Sequence, residues 1–147
     1  MITPDQKMWM TGGLSTQGRI NSTIFIMEFL NGPTESGPNL PEGLSDHAIV
    51  SINETSSLLI GGLDGTQTYL DTTYYFSHET EKWSEGPKSI QATKAHTAGL
   101  VTDKVTQETF VIVVGLTQYN SKLHTTEILM DGSWVSGENP QFDLLIN

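Results

Sequence analysis

Apolar residues in this chain come in short bursts. "HAIVSI" (47–52), "SLLIGG" (57–62), "TTYYFS" (72–77) and a shorter piece from Lys82 to Glu85 follow one another closely. They are rich in Val, Ile, Leu, Tyr, Phe and Thr, and turn chemistry separates them: "NET", then "LDGTQ", then "HETE". That pattern predicts four short strands joined by tight connections. No segment keeps apolar residues at i, i+3 and i+4 over about ten residues, so helices are not expected.

The pattern recurs. "GGL" stands at 12–14 and 61–63, and "VGL" at 114–116. Downstream come "RINST" (19–23), "YLDTT" (69–73) and "KLHTT" (122–126), then "SGPNLP" (36–41), "EGPKSI" (85–90) and "SGENP" (136–140). His47 returns as His96 and Trp83 as Trp134. His47 precedes Gly61 by 14 residues and His96 precedes Val114 by 18. The four extra residues fall within "TDKVTQETF", where a hairpin loop tolerates insertion. Asn31-Gly32 and Asp131-Gly132 accept the positive φ that two-residue hairpins need. Four antiparallel strands repeated about every fifty residues predict β-propeller blades.

The stretch "LLIGGLDG…YLDTTYYFSHETEKWSEGPKSI" resembles a kelch repeat. Its double glycine closes a strand, Phe76 stands where that family usually has Tyr, and Trp83 follows seven residues later. Thr34 takes the Trp position in the first unit, and Val114 replaces the first glycine in the third. The expected fold is therefore all-β: kelch-like propeller blades of four antiparallel strands in an incomplete ring. The blades are expected at 1–38 (first strand missing), 39–87 and 88–139, with 140–147 the stub of another.

Glycine is poor strand chemistry, so Gly12, Gly13, Gly61, Gly62 and Gly115 need a tertiary reason. Close approach of neighbouring blades supplies one. Because Gly13, Gly62 and Gly115 keep the second position of each pair, that position is expected to be the stricter. Gly62→Val should then cost at least about 1–3 kcal/mol. Trp83 and Trp134 are expected to cover the gap between consecutive sheets, since they occupy the same repeat position, and Phe76 is assigned a structural role.

Charge narrows function. Seventeen acidic residues against 7 basic ones give a net charge of -10. Nucleic acid requires a cationic footprint that is missing here, and an anionic membrane surface is disfavoured for the same reason. The chain has no cysteine. That fits a reducing compartment, so the cytoplasm is the expected location. It also removes the cysteine–tyrosine site of the copper oxidases found among kelch-like propellers. The four histidines lack ligand spacing and the carboxylates fall in turns, so no metal, cofactor or catalytic residue is assigned and no enzyme activity is expected. The triplets Asn21-Ser22-Thr23 and Asn53-Glu54-Thr55 have the form of glycosylation acceptors, a form common by chance in so Ser/Thr-rich a chain.

Surface recognition remains. The loops after the glycine strands should cluster on one face, with Gln17, Arg19, Asp64, Gln67, Tyr69, Gln118 and Tyr119 as candidate contacts. The kelch resemblance implies a non-catalytic module that binds a protein partner. The alternative is a carbohydrate- or small-ligand-binding propeller, extracellular if Asn21 or Asn53 is glycosylated. Just under three blades do not close a ring. Three accounts fit: a piece of a larger propeller, which is favoured; self-association of three blades with three; or an open strip.

Overall fold

The computed structural model describes residues 7–16, 22, 24–28, 34–117 and 124–137. Among them there is no helix, and eleven strands form three separate antiparallel sheets. The first sheet contains β1 (Lys7–Thr11), β2 (Ile24–Glu28) and β3 (Thr34–Ser36). The second contains β4 (Ala48–Ser51), β5 (Ser56–Ile60), β6 (Thr73–Ser77) and β7 (Lys82–Glu85). The third contains β8 (Thr93–Thr102), β9 (Thr109–Thr117), β10 (His124–Met130) and β11 (Ser133–Ser136). Every sheet is a meander in which consecutive strands pair. β4 and β8, the first strands of their sheets, pack against one another, as strands converging on a hub should.

Burial shows why β5 departs from simple alternation. Leu58, Leu59 and Ile60 are all fully buried. Leu59 joins Trp9, Leu40, Leu44 and Phe76 in a core shared with the first sheet. Leu58 and Ile60 join Val111, Val113 and Trp134 in a core shared with the third. A strand covered on both faces has no solvent side, so its apolar run is continuous. β7, at the outer edge, is mostly exposed.

Cross-strand register corrects the sequence alignment of the third unit. Trp83 pairs with Phe76, and Phe76 with Ser57. Trp134 pairs with Leu129, and Leu129 with Val111. Ser57 and Val111 are thus equivalent, and four residues beyond each stand Gly61 and Gly115. Gly115 occupies the first glycine position, not the second. Val114 matches Ile60, and Leu116 takes the place of Gly62. The β8–β9 hairpin then carries five extra residues between Leu100 and Val111 relative to the five between Ser51 and Ser57. They extend the ladder by Val101↔Phe110 and Thr102↔Thr109 before the turn. In that turn Asp103 Oδ1 accepts from the amides of Val105 and Thr106. The Asp131-Gly132 turn has φ of 49° and 74°, the two-residue hairpin geometry expected of it. Asn31-Gly32 lies outside the described residues.

The glycines meet different neighbours. A Cβ on Gly12 would strike the Leu44 carbonyl, and one on Gly61 would come within 2.9 Å of the Thr93 carbonyl, each on the approach to the following sheet. Gly62 is crowded from within its own sheet, by Ser45 O at 2.6 Å, while Gly13 has open space. The first position is therefore the one that blocks a side chain against the next sheet in both pairs. Gly13 and Gly62 do something else: their N–H groups donate to Leu44 O (2.8 Å) and Thr93 O (2.9 Å). That inter-sheet hydrogen bond repeats with the period of the chain.

A second recurring glycine, in "EGPKSI" and "SGENP", has its reason in the structure. Gly86 and Gly137 follow the outer strands and donate to Thr73 O and Thr126 O. A Cβ on Gly86 would lie 2.5 Å from Thr73 Oγ1, and one on Gly137 2.6 Å from Thr126 Cβ. The recurrence of "EGP" and "SGE" has this steric cause.

Candidate interaction surface

The loop between β5 and β6 is small and closed. Leu63 bridges to Tyr69, and Leu63 also bridges back to Ser45. Inside the loop, Asp64 Oδ1 accepts from the amides of Thr66 (2.8 Å) and Thr68 (2.9 Å) and from the Thr66 hydroxyl (2.7 Å). The Thr68 amide, the Thr66 hydroxyl and the Thr66 amide together hold the Asp64 carboxyl below its ordinary value. Gln67 sits at φ 63°, its amide donating to Asp64 O, and its side chain is exposed. Thus, of the candidate contacts, Asp64 spends one oxygen on shaping the loop, Gln67 projects outward, and Tyr69 is half-buried at the closing bridge. Gln17, Arg19, Gln118 and Tyr119 lie outside the described residues.

His47 and His78 have structural partners. His47 Nε2 lies 2.7 Å from Thr11 Oγ1, which ties the second sheet to the first. His78 Nε2 lies 2.8 Å from Ser57 Oγ, and its ring meets Trp9 and Phe76 edge-on at 5.5 and 5.2 Å. Among the described residues no group of three His, Cys, Asp or Glu side chains is placed to hold a metal ion.

Phe76 and Trp134 are buried in the cores between sheets, and Trp83 is half-buried against the first of these cores. Phe76 contacts Trp9 at 5.0 Å and Trp83 at 4.8 Å between ring centroids. The indole N–H of Trp134 donates to Pro87 O at 2.9 Å, which fastens β11 to the connection leaving the second sheet. Pro87 O also accepts from Thr73 Oγ1.

Two further polar anchors had no sequence signal beyond their strand positions. Glu127, only 4% exposed, accepts from the amides of Ile90 and Gln91. Burial pushes its carboxyl above the ordinary value, against the pull of those two amides. At the equivalent position of the second sheet, the Tyr74 hydroxyl donates to Glu42 Oε1 at 3.0 Å. Burial, with Glu42 beside it, raises the Tyr74 phenol. In both sheets this position anchors the connection that leads into the first strand.

No curated protein matches the chain. Residues 58–89 match the family model described as "Kelch motif". The match runs from the last three residues of β5 through β6 and β7 into the connection toward β8, including Gly61, Gly62, Phe76 and Trp83. A kelch motif marks a protein-interaction module in general terms, and such repeats are generally non-catalytic. Residues 58–89 of the central sheet therefore carry a kelch motif, and the described residues form an all-β arrangement of blade-like antiparallel sheets.

Proposed function

We propose that this chain is a non-catalytic interaction module that engages a protein partner through the loops following its glycine strands. The supporting observation is the 63–69 loop. Its closure by Leu63 and Tyr69 and its internal Asp64 hydrogen bonds hold Gln67 outward on a rigid sheet. A loop ordered in advance loses little conformational entropy on binding. The module is proposed to act in the cytoplasm, which the cysteine-free sequence fits.

Site-specific photocrosslinking tests the reading. A benzophenone residue at Gln67 should trap a discrete protein partner in extracts of the source cells, and one at Ser84 on the outer strand β7 should not. Gln67→Ala should then weaken pull-down of that partner by the chain without lowering the melting temperature. Equal capture from Ser84, or pull-down that Gln67→Ala leaves unchanged, would refute the loop face.

A further inference from the structure

The opposite strand ends carry a different feature. A cleft of about 190 Å³ opens between the first and second sheets. Trp9, Ile26 and Phe76 wall it, and Glu54, Glu81 and Lys7 line it as well. Glu54 precedes β5 and Glu81 follows β6, whereas the 63–69 loop joins the other ends of those strands. We propose that this cleft holds one basic side chain, an arginine or a lysine, of a protein partner. The site goes beyond the loop-face reading and stands independently of it.

Size and charge both point there. Small-molecule pockets run from roughly 300 Å³ upward, so this cleft suits a single side chain better than a free ligand. The apolar part of its lining, from Trp9 and Ile26, matches the methylene stem of a long cationic residue, which buries its stem while the head stays near water. Glu54 and Glu81 are exposed and supply two carboxylates against the one ammonium of Lys7. The net charge of -10 adds a long-range preference for cations. Rim charges of this kind are each worth less than about 1 kcal/mol and weaken with salt. The aromatic walls are already in place: Trp9 and Phe76 lock each other edge-on, and His78 is fixed by Ser57.

The probe is the tripeptide Ac-Gly-Arg-Gly-NH2, titrated into the isotope-labelled chain and followed by amide and indole NMR shifts. Saturable shifts are expected at the Trp9 indole and at the amides of Glu54, His78 and Glu81. The double variant Glu54→Gln/Glu81→Gln, at two exposed positions, should weaken the affinity about five-fold while keeping a folded spectrum. Lys7→Gln should tighten it. Absence of saturable shifts, equal binding of Ac-Gly-Glu-Gly-NH2, or wild-type affinity in the double variant would overturn the proposal. Shifts confined to residues 64–68 would overturn it too, while leaving the loop-face reading intact.

Discussion

At the residue scale, the glycine pairs separate into two jobs. Gly12 and Gly61 stand where a side chain would meet the next sheet, and both have positive φ. Gly13 has φ of 94° but open space. Gly61→Ala should therefore pay for overpacking as well as backbone strain, and lose about 2–4 kcal/mol. Gly13→Ala should lose only the strain, about 1–2 kcal/mol. Urea unfolding of the two variants side by side measures the difference, and equal losses would refute the division. The sequence predicts that the second position is the stricter; that holds for Gly62, whose Cβ would lie 2.6 Å from Ser45 O, but not for Gly13, and Gly115 belongs to the first position. Only the pairing of Trp134 through Leu129 to Val111 reveals the shift by one. Sequence spacing cannot show which residues oppose each other across a hairpin of altered length.

Glu127 gives a second residue-scale test. Its folded pKa lies above the ordinary 4.5, so the folded chain holds this proton more tightly than the unfolded chain does. The contribution of the group to stability is then greatest below pH 4.5 and declines as pH rises from there through the folded value. Glu127→Gln removes that dependence and turns an N–H donor toward the amides of Ile90 or Gln91. The wild-type advantage over the variant, read by denaturant unfolding, should shrink as pH rises from about 4 to 7. An advantage that grows over that range would contradict the burial argument.

Strands and turns were the most legible elements. The central apolar runs fall on β4 to β7 with shifts of two residues at most, because each burst is short and bounded by polar turn residues. The Asp131-Gly132 hairpin was readable for a local reason, the positive φ of its dipeptide. Glu127 and Tyr74 were not, since their partners lie more than thirty residues away along the chain. The loop candidates were legible as a place but not as roles: nothing in "LDGTQ" announces that Asp64 is used inside the loop. Coverage should also set local stability. β5 is buried on both faces, with Phe76 and Thr73 of β6 also buried, while β7 is an exposed edge. Hydrogen exchange should find the slowest amides in β5 and β6 and fast ones in the 103–108 turn. Uniform protection across the three sheets would argue against a stack held through its middle member.

For the whole molecule, two separate cores explain how three sheets cohere. The first and second sheets share Trp9, Leu44, Leu59 and Phe76; the second and third share Leu58, Ile60, Val111, Val113 and Trp134. Repeat proteins are built this way, with each unit touching only its neighbours. The charge-free run "FVIVVGL" is largely accommodated, since Phe110, Val111 and Val113 are buried while Val114 remains 37% exposed. Methyl-labelled nuclear Overhauser spectroscopy addresses the stacking directly. The methyls of Leu58 and Ile60 should show contacts to Val111, Val113 and the Trp134 ring, and those of Leu59 to Trp9 and Phe76. Leu59 contacting Val113, or Trp9 contacting Trp134, would contradict the arrangement of successive blades.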